Sequence, residues 1–149
     1  MTSIGSYQIK VRLQSVGEKI ALLSPANAED MPTDWTFNWP ILWENTEFEY
    51  QNIVKLVDAD KVWGLVRYSL YPFPGLPAFL KIEQLEADPS SRGEMPDRPI
   101  EPIGKWLIWY CIQVGLQYCT VAANDPLIVL VSLNDPVPYY RDVIEMEYV

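Results

Sequence analysis

Histidine is absent from all 149 residues. Without an imidazole the chain cannot build a histidine-based triad, an imidazole general base or most of the common transition-metal sites. Cysteine is scarce as well. Cys111 and Cys119 fall on one expected helix, more than about 10 Å apart at a rise of about 1.5 Å per residue, so they cannot pair there. Two separated thiols with scattered carboxylates also make a poor zinc set, and a pair of small buried hydrophobes outweighs a reactive thiol as their reading. Any chemistry falls to Asp, Glu, Tyr, Cys, Lys or backbone groups. Basic residues are in deficit, 11 against 20 acidic, for a net charge of −9. That balance opposes phosphate backbones and anionic membrane surfaces and favours cationic or amine-bearing partners. Neither nucleic acid nor membrane is an expected partner. The longest apolar stretch, Trp106 to Leu116, contains Gln113 and falls short of the roughly 20 residues that span a bilayer. Met1 to Ser6 lacks the basic and apolar regions of a secretory signal, so a cytoplasmic location is expected. Internal repeats, heptads and low-complexity runs are missing too.

What the chain does have is apolar mass and punctuation. Nearly half the residues are apolar, with six Trp, nine Tyr and four Phe, and 13 prolines divide them. Length and composition predict one globular domain over residues 1–149. Tyr7 to Gln14 alternates Tyr7, Ile9, Val11 and Leu13 with polar residues, the period of a half-buried strand. Val16 to Ser24 reads as a short helix. Pro25 to Pro40 carries Trp35, Phe37 and Trp39, with Trp43, Phe48 and Tyr50 close behind. Such a cluster is more often a satellite core than a ligand pocket, although a pocket wall is the alternative.

Asn52 to Val57 and Val62 to Leu70 are rich in β-branched and aromatic residues, and Asp58 to Lys61 between them has hairpin length. Gly64 inside the second of these strands signals a close backbone approach or a bulge. After the turn at Pro72 to Pro77, Phe79 to Ala87 reads as a further strand. Strict alternation puts Phe79, Lys81, Glu83, Leu85 and Ala87 on one face and Leu80, Ile82, Gln84 and Glu86 on the other. Asp88 to Pro102 is too rich in proline for helix or central strand. A helix follows, with Pro102 in its first turn and Ile103, Leu107, Tyr110, Cys111, Val114 and Tyr118 as its core-facing stripe. Leu127 to Leu133 is an unbroken apolar run typical of a strand covered on both faces, and Val143 to Val149 alternates as a last strand. The expected class is α/β (α+β), with a mixed, largely antiparallel central sheet flanked by helices.

Four segments, in this order, carry a family resemblance: DADKVWGLVRY (Asp58 to Tyr68), IEQLEADPSSRG (Ile82 to Gly93), PIGKWL (Pro102 to Leu107) and LVSLND with YYRDV (Leu130 to Val143). Together they resemble the GNAT superfamily of acyl-CoA-dependent N-acyltransferases over about Asn52 to Val143. The resemblance implies a splayed pair of central strands whose exposed backbone binds the pantetheine arm of acetyl-CoA, the expected co-substrate. It also implies a turn of backbone amides that holds the pyrophosphate at a helix N-terminus. Carried over residue by residue, it assigns the cofactor to the Leu85 and Ala87 amides, to Arg92, Gly93 and Arg98, to Ile103, Gly104 and Lys105 at the helix start, and to Asn134. Here the sequence departs from the pattern. An insertion follows Gly93, and Pro102 stands where the family has a glycine, so one amide donor is lost.

Acyl transfer to an amine needs a base, oxyanion donors and an acid for the leaving thiolate. The resemblance implies Glu83 as base, against a solvent-facing strand residue, and Tyr140 or Tyr139 as acid, against a tyrosine that only packs. The function it implies is transfer of an acetyl group from acetyl-CoA to an amine of a small molecule or peptide. The alternatives are a degenerate domain of the same fold that acts as a binding or interaction module, and an adaptor gripping a peptide with Trp35 to Trp43. The last strand presents an open edge, so a homodimer is expected.

Overall fold

Two β-hairpins and a fifth long strand build most of one sheet among the described residues, and a long helix covers one of its faces. The computed structural model describes residues 4–13, 17–59, 61–89, 100–119 and 128–130. The strands are β1 (Tyr7–Leu13), β2 (Gly17–Pro25), β3 (Gln51–Asp58), β4 (Lys61–Tyr71), β5 (Phe79–Ala87), β6 (Ile100–Glu101) and β7 (Ile128–Leu130). The helices are α1 (Trp39–Glu44) and α2 (Gly104–Tyr118). The sheet order is β6-β1-β2-β3-β4-β5-β7, antiparallel throughout except for β5 with β7. The mixed, largely antiparallel class read from the sequence is therefore the one observed. None of the described helices is long and apolar enough to cross a membrane.

The segment read as a short helix, Val16 to Ser24, is strand from Gly17 onward. β2 pairs with β1 from Leu13↔Gly17 to Tyr7↔Leu23 and with β3 from Leu22↔Val57 to Pro25↔Val54. A lone helix of nine residues is marginal, whereas pairing with β1 over Gly17–Leu23 and with β3 from Leu22 onward gives the backbone partners along the strand. Gly17 takes φ +83° as the chain re-enters the sheet, a conformation that costs glycine little. Ala21 and Leu23 then bury against the helix face while Ile20 and Leu22 stay exposed.

α2 lies across the sheet with Leu107, Ile108, Tyr110, Cys111 and Val114 buried against Ile9, Val11, Leu23, Leu56, Val66, Tyr68, Leu80 and Ile82. Each side chain of Leu size fully removed from water contributes about 1.5–3 kcal/mol. Gly64 is where the helix comes closest. A Cβ there would run into Ile103 Cγ2 and lie 2.9 Å from Leu107 Cδ1. The close approach read from this strand glycine is thus made by side chains at the start of α2. A bulge accompanies it, since the β3–β4 register steps from Leu56↔Gly64 to Val57↔Val62 and skips Trp63. Pro102 is not in the first helical turn. The helix begins at Gly104 with Ile103 as its cap, which leaves Pro102 just outside.

The other sheet face carries a second, smaller core of Ala26, Met31, Trp39, Ile53 and Leu65, with Trp35, Leu42 and Trp43 packed against it. The Trp-rich segment is therefore a satellite core. Trp39 is fully buried, and Trp35 and Trp43 are partly so, which removes the peptide-gripping adaptor. Of the predicted strand Leu127 to Leu133, Ile128–Leu130 is described and runs parallel to β5 from Leu80↔Ile128 to Ile82↔Leu130. The expected splay beyond that point, and the expected strand Val143 to Val149, lie outside the described residues.

Candidate active site

A single irregularity in β5 decides which side chains meet. The β4–β5 register runs Tyr71↔Phe79, Ser69↔Lys81, Tyr68↔Ile82, then steps to Arg67↔Gln84 and Val66↔Leu85, leaving Glu83 without a partner. An extra residue of this kind inverts the alternation beyond it. Leu80 and Ile82 face α2, and so do Leu85 and Ala87, which pack on the same core. The sequence reading grouped Leu85 and Ala87 with Glu83 and grouped Glu86 with Ile82; the bulge overturns both assignments. Glu83 and Glu86 share the face opposite α2.

Glu83 sits at the middle of that face with its side chain 14% exposed. Its Oε2 accepts from Ser69 Oγ at 2.8 Å and from Tyr71 OH at 3.1 Å, and Lys81 Nζ lies 3.4 Å from Oε1. Ser69 in turn accepts from Gln51 Nε2 at 2.9 Å. Buried Arg67 donates to Thr46 Oγ1 at 2.9 Å, Gln84 Oε1 at 3.1 Å and Gln51 Oε1 at 3.2 Å. A continuous polar network therefore runs from the end of α1 to the bulge. Such networks fix side chains in one arrangement because each member is held by its neighbours. Burial raises the Tyr71 hydroxyl pKa above its ordinary range; the Ser69 hydrogen bond opposes the shift and the Glu83 charge adds to it. Tyr71 therefore stays protonated and donates to Glu83 at neutral pH.

Rings close one end of this network. Tyr71 lies 5.9 Å from Tyr50 and 5.8 Å from Phe79, and Phe73 stacks on Tyr50 at 4.5 Å with the rings 12° from parallel. At the other end Glu86 accepts from Thr36 N at 2.6 Å, Phe37 N at 3.0 Å and Trp39 Nε1 at 2.9 Å. This second carboxylate anchors the chain that leads into α1.

The residues assigned to a cofactor occupy the far end of β5 and the start of α2. Asp88 N donates to Trp63 O at 2.8 Å. Because successive strand amides point to opposite sides, the Leu85 and Ala87 amides point away from β4. The first intrahelical bond of α2 is Leu107 N to Ile103 O, and Ile103 at the cap position offers no side-chain acceptor to the amides of Gly104, Lys105 and Trp106 before it. A Cβ on Gly104 would meet nothing within 4 Å, and Lys105 is exposed beside it. The Ile103 side chain is buried against Gly64, so only its backbone faces this opening. Amides left without a cap from Ile103, the positive end of a 15-residue helix and an exposed lysine suit an anionic pyrophosphate. Since Pro102 lies outside the helix, its missing N–H is not one of these donors. Arg92, Gly93, Arg98, Asn134, Tyr139 and Tyr140 lie outside the described residues.

Sequence reasoning missed Tyr71, Ser69, Arg67, Gln51 and the anchoring role of Glu86. One signal was available: Arg67, Ser69 and Tyr71 alternate with Val66, Tyr68 and Leu70, the pattern of a strand with one apolar face and one that is polar or amphipathic.

The mixed sheet crossed by α2 is an acetyltransferase-like fold, and two solved structures share it. A Trypanosoma brucei acetyltransferase superposes with a TM-score of 0.56 at 16% identity, covering 83% of this chain and 90% of that one. A transcriptional regulator from Bacillus halodurans C-125 superposes with a TM-score of 0.53 at 14% identity, covering 83% and 88%. No protein-family model and no curated protein matches the sequence.

Proposed function

We propose that the chain is an acyl-CoA-dependent N-acyltransferase that moves an acetyl group from acetyl-CoA to an amine. One observation carries the reading. β5 presents Glu83 to one face of the sheet at its bulge, and Ala87 at its end pairs with Gly64 of β4, against which Ile103 at the start of α2 packs. Two stations on one strand thereby serve the two substrates. The Gly104, Lys105 and Trp106 amides would hold the pyrophosphate, and the Leu85 and Ala87 amides would lie along the pantetheine arm and the thioester oxygen. Acetyl-CoA supplies the activated acyl group when bound. Glu83 takes the proton from the attacking amine, directly or through water, while Ser69 and Tyr71 keep the carboxylate aimed. Tyr140 or Tyr139 is assigned the proton for the departing thiolate on the strength of the resemblance.

Calorimetry with acetyl-CoA and the Gly104→Asp variant test this. A carboxylate in the first helical turn stabilises a helix by roughly 0.3–1 kcal/mol yet repels a pyrophosphate. The expected result is saturable binding to the native chain, with a variant that melts no lower and binds acetyl-CoA at least about tenfold more weakly. Absence of heat at millimolar acetyl-CoA would replace this reading with that of a degenerate interaction module.

A further inference from the structure

The acceptor end of the site has a composition of its own. Tyr71 belongs to two groups at once: its hydroxyl donates to Glu83, and its ring lies between those of Tyr50 and Phe79. Phe73 continues the cluster on Tyr50 and remains 44% exposed, and Leu76 beyond it is 83% exposed. An open ring such as Phe73, linked through Tyr50 and Tyr71 to a half-buried carboxylate, is not accounted for by core packing. The carboxylate is the polar point and the rings are the apolar wall, which is how small-molecule sites orient a ligand. Ring faces attract cations, and an ammonium near Tyr71 would meet both the ring and Glu83. Lys81 Nζ, 3.4 Å from the other oxygen of Glu83, sets a limit. A second positive charge on the same ligand would be repelled there.

Resting on the transferase reading, we propose that the acceptor is a monoamine whose ammonium is carried on a flat aromatic group, held by Tyr50, Tyr71, Phe73 and Phe79 with its nitrogen toward Glu83. A polyamine would be rejected by Lys81, and a plain alkylamine would forgo stacking on the rings. The class is defined by one cation and one planar apolar body, separated by a short spacer.

The experiment is titration of the full chain with phenethylamine, n-hexylamine, spermidine and a tetra-alanine peptide, with and without coenzyme A. Turnover with acetyl-CoA is measured alongside. Phenethylamine is expected to bind and to be acetylated with the lowest KM of the four. Tyr50→Leu and Phe73→Ala are each expected to raise its Kd and KM by roughly three- to tenfold while leaving those for n-hexylamine within about twofold. Glu83→Gln is expected to weaken every amine, with circular dichroism reporting an intact fold. Spermidine, hexylamine or the peptide binding as well as phenethylamine would overturn the proposal while leaving a transferase in place. So would ring variants without effect. Phenethylamine binding in a chain that takes no acetyl-CoA would keep the amine site and remove the transferase.

Discussion

Trp39 and Glu86 are 47 residues apart in sequence and joined by a 2.9 Å hydrogen bond, Nε1 to Oε1, inside the smaller core. With Thr36 N and Phe37 N on the same carboxylate, this bond ties the segment before α1 to the end of β5. Glu86→Ala leaves these donors without a partner, and an unsatisfied buried donor costs about 1–3 kcal/mol. The Thr36 and Phe37 amides can recover water in part, so the expected loss is about 2–4 kcal/mol, read from the urea midpoint. A loss below about 0.5 kcal/mol would mean the segment holds without the carboxylate.

Glu83, framed by Ser69 and Tyr71, is the base of the proposed reaction. Glu83→Gln keeps the shape and removes the base. Acetyl-group transfer should fall by about 10²–10⁴-fold, the usual range for a general base, with acetyl-CoA affinity unchanged. Tyr71→Phe removes only an aiming hydrogen bond and should cost about tenfold or less. Steady-state kinetics on both variants separate the two roles, and an equal loss from each would assign proton transfer to Tyr71 as well.

Gly64 tests the approach of helix to sheet. An added methyl collides with Ile103 Cγ2 and crowds Leu107, both at the start of α2. Overpacking of this kind costs about 1–3 kcal/mol. Gly64→Ala should therefore lower the melting temperature, whereas Gly104→Ala, whose Cβ meets nothing, should not.

Stability should decline on the alkaline side. Burial raises the thiol pKa of Cys111 above its ordinary value of 9.0, and burial, foremost, raises the hydroxyl pKa values of Tyr68 and Tyr71 above 10.0. The folded chain keeps these protons where the unfolded chain releases them. Unfolding is then favoured as pH rises, and the stability present below about pH 9 is lost progressively above it. Urea midpoints measured from pH 8 to pH 11 should fall, first from the thiol and then from the two phenols. Cys111→Ala should delay the onset toward pH 10. A flat profile would contradict the burial of Cys111 and Tyr68.

Much of the frame was legible because its signals are local. Phe79 to Ala87 was bounded by prolines on one side and Asp-Pro on the other, and the hairpin around Asp58 by a polar turn between two β-branched runs. β2 was misread because nine residues from Val16 do not distinguish a short helix from a strand until the partners on either edge are known. α1 went unread although Asn38, whose side chain accepts from Ile41 N at 3.2 Å, and Pro40 just inside the helix are ordinary start signals. The site was harder for a different reason. Glu83 could be named from a resemblance, but its neighbours Ser69 and Tyr71 depend on the register of β4 against β5, and a bulge leaves no mark in composition. Tyr50 and Phe73 meet only after the chain has turned back on itself, a relationship between distant residues that no local spacing encodes.

The extra residue in β5 also separates two inheritable traits. Before it, the strand's alternation sets what lies beside Glu83; after it, the inverted alternation sets what packs under α2. On the transferase reading, substitutions at Phe79 and Lys81 should retune the choice of acceptor without disturbing Leu85 and Ala87, and the reverse should hold as well. Removing the one unpaired position would exchange those assignments in a single step, so a deletion at Glu83 should be far more damaging than any replacement of it.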